Sequence, residues 1–243
     1  MTFNTDAIVL KIVKTGESDR LITFLTRDRG VLKAFAKAAG RPKNKLHMST
    51  NLFCYGHFTF YEGTKALQVR ECELSETFFN LQNDISRLAA AQYFNELIIE
   101  TAPVSGNAEE YMRLLLNSLY FLAQGKRDTR ILKSVFELRL VSIIGYMPSL
   151  VACAECGKFE SDPMYFNEST GELFCNECRK IGSTEYPLEV ISAMRHIVYS
   201  DLNRLFTLKV SEANISKLNF ATEKYLISKV QKNFNSLEFY KSL

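Results

Sequence analysis

The sequence lacks the segments that mark membrane and secreted proteins. No apolar run approaches the roughly 20 residues that a membrane-spanning helix requires. Residues 1–6 lack the basic region that precedes the apolar segment of a secretory signal. We therefore expect a cytoplasmic protein whose thiols are kept reduced.

Motifs for catalysis are equally scarce. The chain contains no Gly-x-x-x-x-Gly-Lys loop for phosphate and no Gly-x-Gly-x-x-Gly turn for a dinucleotide. Its three histidines, His47, His57 and His196, are dispersed and fall in no nucleophile or metalloprotease motif. These absences argue against a nucleotide-driven motor, and we expect a protein that is not an enzyme.

Four of the six cysteines form the strongest motif in the chain. Cys153 and Cys156 make one Cys-x-x-Cys pair, and Cys175 and Cys178 make a second pair after 18 intervening residues. This spacing is typical of a tetrahedral zinc site, and four thiolates leave no position for a catalytic water. The sequence therefore predicts a structural zinc ion, with a disulfide or redox-active thiols as the alternatives.

The segment between the two cysteine pairs predicts a hairpin. Residues 166–174 place turn-forming residues between apolar ones, although an ordinary surface loop can have the same composition. The remaining Cys54 and Cys72 fall in strand-like segments. We expect these two to be small buried residues without chemistry.

Positive charge is concentrated in the first third of the chain. Residues 1–80 contain 12 Lys or Arg against 8 Asp or Glu, although the whole chain carries a net charge of only +3. Within residues 27–45, seven Lys or Arg stand against the single acid Asp28. Such a cluster is typical of a surface that binds a polyanion, although a solvated face has the same composition.

The same region predicts five strands separated by turns. They cover residues 7–14, 20–27, 31–39, 52–61 and 66–73. Alternation in the third strand puts Val31, Lys33, Phe35 and Lys37 on one face and small apolar residues on the other. A five-stranded barrel with a basic, aromatic face is typical of an oligonucleotide-binding (OB) barrel. A sheet edge protected by lysines explains the pattern equally well.

After about residue 80 the apolar spacing becomes that of helices. Asp84, Asn107 and Asp128 are predicted to lie at the starts of three helices, and two more are predicted over residues 188–199 and 212–231. We therefore predict an α+β protein. It has an OB domain over residues 1–80 and a helical domain over residues 81–243, with a zinc module inserted at about residues 147–185.

The order of several short motifs resembles the bacterial DNA repair protein RecO family. Residues 7–11 (AIVLK), 16–21 (GESDRL) and 36–40 (AKAAG) are similar to that family's first three strands. Residues 136–140 (FELRL), followed by Gly145, Tyr146, Pro148 and the first cysteine pair, are similar to its middle. The region after the second cysteine pair departs from the family pattern.

The resemblance implies a recombination mediator that binds single- and double-stranded DNA and anneals complementary strands. With RecR, such a protein helps to load RecA onto DNA coated by single-stranded-DNA-binding protein (SSB). Zinc would be structural, since the family has members without the four cysteines. Basic residues would hold phosphates, with Lys33, Lys37, Arg41, Lys43 and Lys45 at the centre and Lys11, Lys14, Arg20, Arg27 and Arg29 at the flanks. Phe35 or Tyr55 would stack on bases, although aromatic residues of a barrel are more commonly buried.

The helical domain is expected to offer a surface for partners. Lys133 and Arg139 are the candidates to receive the C-terminal tail of SSB, provided that their side chains are exposed. Composition alone leaves a second class open, a zinc-stabilised protein-interaction adaptor with a basic surface. A zinc-dependent nucleic-acid hydrolase is disfavoured because four sulfurs fill the metal site.

Overall fold

The computed structural model describes residues 1–64 and 66–243, and it confirms the α+β class. The chain forms two compact units. The first contains Met1–Ala123 together with Ser236–Leu243, and the second contains Gln124–Asn235. The domain boundary near residue 80 stays a prediction.

The first unit begins with a five-stranded closed barrel. Its strands are β1 (Thr2–Thr15), β2 (Asp19–Thr26), β3 (Gly30–Ala36), β4 (Cys54–Glu62) and β5 (Leu67–Thr77). They follow the order β1-β2-β3-β5-β4, and β1 pairs with β4 to close the sheet. The contact between β3 and β5 is a single parallel pair, Phe35 with Gln68. The five predicted strands are thus present, with β1 and β5 longer than expected. Strand β3 ends at Ala36, three residues earlier than predicted, so Lys37 lies in the connection that follows it.

Alternation along the strands builds the barrel interior. Side chains from Val9, Ile22 and Ala34 point inward and belong to one buried cluster. Phe24 contacts Phe58 edge to face, with ring centroids 5.0 Å apart. The expected period of two therefore places small and aromatic residues inside and Lys33 outside. An irregularity in β1 between Val9 and Lys11 turns Lys11 to the outer face as well.

Helices cover part of the barrel's outer surface. The unit continues with α1 (Ile85–Thr101) and α2 (Glu109–Gln124), and it ends with α7 (Asn235–Lys241). Ile8, Leu10 and Leu25 point away from the interior yet are buried. Helix α1 packs against β1, and the Asn95 side chain donates a hydrogen bond of 2.9 Å to the Leu10 carbonyl.

The connection between α1 and α2 is hydrogen-bonded to the turn between β2 and β3. The backbone N–H of Val31 donates to the Pro103 carbonyl at 2.7 Å, and that of Ala108 donates to the Arg27 carbonyl at 2.8 Å. Gly30 has a φ of +66°, and a Cβ there would lie 2.0 Å from the Pro103 oxygen. Only glycine fits at this approach.

The second unit combines four helices with a small sheet. The helices are α3 (Thr129–Ile143), α4 (Leu188–Tyr199), α5 (Leu202–Leu205) and α6 (Glu212–Val230). The sheet has the order β7-β6-β8, formed by β6 (Met164–Asn167), β7 (Glu172–Cys175) and β8 (Thr184–Tyr186). The predicted hairpin is β6 and β7.

The helix starts were predicted correctly where a side-chain cap is present. The Asp84 and Asp128 carboxylates accept from the backbone N–H of Arg87 and Arg130, at 3.0 and 2.8 Å. Asn107 accepts from the N–H of Glu109 at 2.8 Å. Such bonds satisfy N–H groups that have no partner within the helix.

Candidate metal centre and basic surface

The four predicted metal ligands come together at one end of the β6–β7 hairpin. The sulfur atoms of Cys153, Cys156, Cys175 and Cys178 all lie within 4.8 Å of one another. The Cys156 and Cys175 sulfurs are 3.7 Å apart. Tetrahedral zinc with bonds of about 2.3 Å separates its sulfur ligands by roughly 3.8 Å, so this cluster matches the size of such a site. The residues present therefore fit a divalent metal ion.

The local backbone prepares one of these thiols for ionisation. Burial opposes the charge on Cys153, but hydrogen bonds from the backbone N–H groups of Cys156, Cys175 and Glu155 lower its pKa to about 6. Hydrogen bonding with the Cys175 thiol is the main cause that raises the pKa of Cys178 to about 12. A metal ion would displace the protons that these thiols share.

Arg195 of α4 holds the chain on both sides of the first cysteine pair. Its Nε donates to the Leu150 carbonyl at 2.7 Å, and its Nη2 donates to the Phe159 carbonyl at 2.6 Å. The guanidinium carbon also lies 4.3 Å from the centre of the Phe159 ring. One planar side chain thus fixes the entry and the exit of the loop that carries Cys153 and Cys156.

Two exposed ion pairs connect the cysteine pairs across the site. Lys180 bonds Glu155, and Lys158 lies 3.6 Å from Glu177. Exposed pairs of this kind contribute little stability by themselves. In each pair, the positive charge of the lysine is balanced by the negative charge of the glutamate.

The turn of the hairpin, residues 167–171, packs on α6. A Cβ at Gly171 would lie 2.6 Å from the Tyr225 hydroxyl oxygen. The Ser228 hydroxyl donates to the Glu168 carbonyl, and Lys229 Nζ donates to the Ser169 carbonyl, both at 2.7 Å. The metal module is therefore attached to a helix at the end far from the cysteines.

A second candidate site is the outer face of β1, β2 and β3, where paired residues form parallel rows. Lys11, Thr23 and Lys33 are direct neighbours across the strands, so the two exposed lysines share one face. The next row towards the β1–β2 turn consists of Val13, Leu21 and Phe35. Val13 is 46% exposed, and the other two are partly exposed. The rows combine positive charge with an accessible apolar strip.

The basic connection between β3 and β4 lies beside these rows. Residues 37–53 form a series of turns, and Leu46 and Phe53 are buried. The cations of this connection, Lys37, Arg41, Lys43 and Lys45, are all exposed. Lys45 pairs with Glu71 of β5 at 2.9 Å. Five of the ten predicted phosphate contacts, Lys14, Lys37, Arg41, Lys43 and Lys45, therefore lie at the end of the barrel that carries the β1–β2 turn, whereas Lys11 and Lys33 lie in the row along the strands.

The other three predicted contacts are placed differently. Arg27 and Arg29 belong to the turn at the opposite end of β2, about 20 Å along the strand from its first residues. Arg27 pairs with Asp6 at 2.9 Å, and Arg29 lies over the Phe3 ring at 3.8 Å. Arg20 is half-buried and bonds the connection 37–53. Tyr55 is held near Arg27, and burial is the main cause that raises its pKa.

The structure does not give Lys133 and Arg139 the exposure required of them as partner contacts. Lys133 is 1% exposed, and its ammonium lies 2.8 Å from Glu137 and 2.9 Å from Glu223. Arg139 donates to the Val198 carbonyl at 2.7 Å, at the end of α4. The periodicity of α3 placed both side chains on a helix without showing which neighbours meet them. Val13, Leu21 and Arg195 were not predicted as site residues, because only strand register and tertiary contacts reveal their surroundings.

The described residues contain no helix that is long and apolar enough to cross a membrane. Fold and sites together define a class, namely a small β-barrel with a basic end that is followed by helices and by a cluster of four cysteines that could hold a metal ion.

The chain belongs to the Recombination protein O family. Residues 1–78 match the family model for the N terminal of recombination protein O, and residues 82–238 match the model for its C terminal. The chain is 35% identical to the DNA repair protein RecO of Acetivibrio thermocellus, over 98% of this chain and 96% of that protein. It is 30% identical to the DNA repair protein RecO of a Thermoanaerobacter species, over 98% and 97% of the two chains. The predicted resemblance is thus confirmed.

Proposed function

We propose that this protein acts in DNA repair and homologous recombination by binding DNA at the basic end of an OB barrel. The observation that carries the proposal is the arrangement of Lys11 and Lys33 in one row, beside the exposed cations of residues 37–53. Lysine and arginine at such a surface neutralise phosphates and release counterions. The order β1-β2-β3-β5-β4 supports the OB assignment.

The protein would bind both single- and double-stranded DNA. The row of apolar residues beside the lysines favours binding of the single strand. Val13, Leu21 and Phe35 lie next to the lysine row, where unpaired bases would rest while phosphates meet the cations. Bases in a duplex are stacked inside the helix and do not reach such a strip. Phe35 is therefore the candidate for base contact, whereas the Tyr55 hydroxyl is engaged by Arg27.

Annealing of complementary strands requires a charged surface that positions them and no catalytic residue. We therefore propose a mediator that is not an enzyme. A positive surface lowers the repulsion between two complementary strands and raises their rate of encounter, which is the requirement for annealing. With RecR the protein would help to load RecA onto DNA coated by SSB, whose C-terminal tail would bind the helical domain. These partners rest on the family membership.

The metal is proposed to be zinc, held by Cys153, Cys156, Cys175 and Cys178. When bound, the ion braces the second unit by linking the two cysteine pairs. Four sulfur ligands leave no open coordination position, so this chain's metal module supports structure.

The test is a charge-reversal variant in which Lys33, Lys37, Arg41 and Lys43 are all changed to Glu. We expect DNA affinity to fall at least tenfold at moderate salt and the dependence of log Kd on log salt to become shallower. Fluorescence anisotropy with labelled single strands and duplexes measures both, and a strand-annealing assay is run in parallel. The control reverses the same number of exposed charges elsewhere: Arg113, Lys126, Lys209 and Lys217.

Equal affinity of the folded variant and the wild type would remove the proposed DNA surface. A wild-type protein that neither binds nor anneals DNA, but retains its metal, would favour the interaction adaptor instead.

A further inference from the structure

Residues 18–20, at the start of β2, form hydrogen bonds with both ends of the basic connection 37–53. Arg20 reaches the end of the connection, while Ser18 and Asp19 reach its beginning. These three residues are adjacent in the chain, and the hydrogen bonds they make span a segment that carries four exposed cations.

Arg20 donates hydrogen bonds from one nitrogen, Nη1, to several oxygens of the connection. Its Nη1 donates to the Thr50 hydroxyl at 2.9 Å and to the Thr50 carbonyl at 3.3 Å. It also donates to the His47 carbonyl and the Asn51 side-chain oxygen, both at 3.2 Å. Thr50 is fully buried, and its hydroxyl in turn donates to the Leu46 carbonyl at 2.6 Å. The guanidinium therefore closes the last turns of the connection.

Asp19 and Ser18 fix the first turns in the same way. The Asp19 carboxylate accepts the backbone N–H of Ala38 at 2.7 Å, and Ala38 has the left-handed φ of 53°. The Ser18 carbonyl accepts the N–H of Gly40, also at 2.7 Å. An acceptor at each N–H stabilises a backbone conformation that alanine rarely adopts.

The surroundings of Arg20 differ from those of the exposed cations. It is half-buried and faces Ala36 across the strand pair, on the interior side of the barrel end. Burial lowers the pKa of its guanidinium. Its neighbours are carbonyl, hydroxyl and amide oxygens of the connection, the arrangement expected of a cation that organises the chain.

We propose that Arg20 is a positioning residue for DNA binding. It holds the connection so that Lys37, Arg41, Lys43 and Lys45 present their charges together, and it does not itself contact phosphate. The inference rests on the proposed function, since it assumes that these cations bind DNA. Fixing them before binding removes an ordering cost that a mobile loop would incur.

The decisive variant is Arg20→Lys, which keeps the charge but loses the planar fork. We expect affinity for a labelled single strand to fall roughly tenfold, because the lysine ammonium ends one bond short of the position of Nη1 and does not reach the oxygens that Nη1 binds. Arg113→Lys is the matched control at an exposed position of α2, outside the proposed DNA surface, and it should retain affinity. Hydrogen exchange of residues 44–53 should accelerate in Arg20→Lys and stay unchanged in the control. If Arg20 instead contacts phosphate as a point charge, Arg20→Lys keeps wild-type affinity, and the proposal is wrong.

A second variant protects the test against misfolding. Asn51→Ala removes one acceptor without altering charge, and we expect a smaller loss of affinity, about threefold, with the same faster exchange. Wild-type affinity and exchange in this variant and in Arg20→Lys would overturn the proposal. Thermal melting confirms that each variant is folded.

A double-mutant cycle separates this inference from the proposed function. Arg20→Lys is combined with a background in which Lys37, Arg41, Lys43 and Lys45 are all Gln. If Arg20 acts through these cations, its substitution costs no further affinity in that background. An additive loss would show an independent contact and overturn the inference. A background that binds DNA as well as wild type would overturn the proposed DNA surface, whatever Arg20 does.

Discussion

At the scale of single residues, we expect Arg195 to determine how firmly the four cysteines hold a metal ion. Its side chain is 11% exposed and bonds carbonyls on both sides of the first cysteine pair. Arg195→Lys leaves at least one buried carbonyl unpaired, which costs about 2 kcal/mol of stability in the second unit. We expect a chelator to remove metal from this variant severalfold faster than from wild type, as followed with a colorimetric metal indicator. Arg179→Lys, at an exposed position near the second pair, is the control. Equal release rates would show that the site does not depend on this clamp.

The cysteine cluster could be predicted from the sequence, whereas the contacts of Arg195 and Arg20 could not. The four cysteines were identified because two ligands of each pair lie three positions apart, so spacing alone predicts their meeting. The acceptors of Arg195 lie 36 and 45 residues away, and no local pattern connects them. Arg20 was identified as a cation, but its role follows from bonds to residues 47–51 that only the folded connection creates.

At the scale of elements, α3 and α6 share a buried polar network. Lys133 bonds Glu137 and Glu223, and the Thr222 hydroxyl donates to Glu137 at 2.8 Å. Lys133→Met leaves a buried carboxylate without its nearest cation, and we expect a loss of about 3 kcal/mol or more. Adding Glu137→Leu should restore much of this loss, because the charge that lost its partner is gone. The midpoints of urea unfolding measure both effects.

The exposed α6 substitution Lys217→Met serves as the control and should leave the midpoint unchanged. A midpoint for Lys133→Met close to that of the control would mean that the network does not stabilise the helix pair.

Elements with strong local signals were predicted well. Helix α4 has the predicted bounds, and α6 ends one residue early, at Val230, because Gln231 adopts a left-handed φ of 52°. The short α5 and α7 were missed, since four to seven residues carry too little periodicity. Strand β8 was also missed, because its three residues pair with β6 from outside the hairpin.

At the scale of the whole molecule, the barrel and the first two helices are expected to fold together. Ile8, Leu10 and Leu25 are buried on the outer side of the barrel, where α1 packs against β1. A fragment of residues 1–80 exposes these side chains, and each contributes about 2 kcal/mol when buried. We expect this fragment to bind a hydrophobic dye and to melt without cooperativity, whereas residues 1–123 melt cooperatively. Calorimetry and dye fluorescence compare them, and a cooperative transition at the same temperature in both would contradict this expectation.

The attachment of the hairpin turn to α6 has a consequence for how this protein can change over evolutionary time. The turn is secured by Gly171 beneath Tyr225 and by hydrogen bonds from Ser228 and Lys229, none of which involves sulfur. A lineage that lost its cysteines one by one would keep this second fastening, and the hairpin would stay seated while the metal disappeared. Loss of the four cysteines would therefore leave the contacts between the hairpin turn and α6 in place.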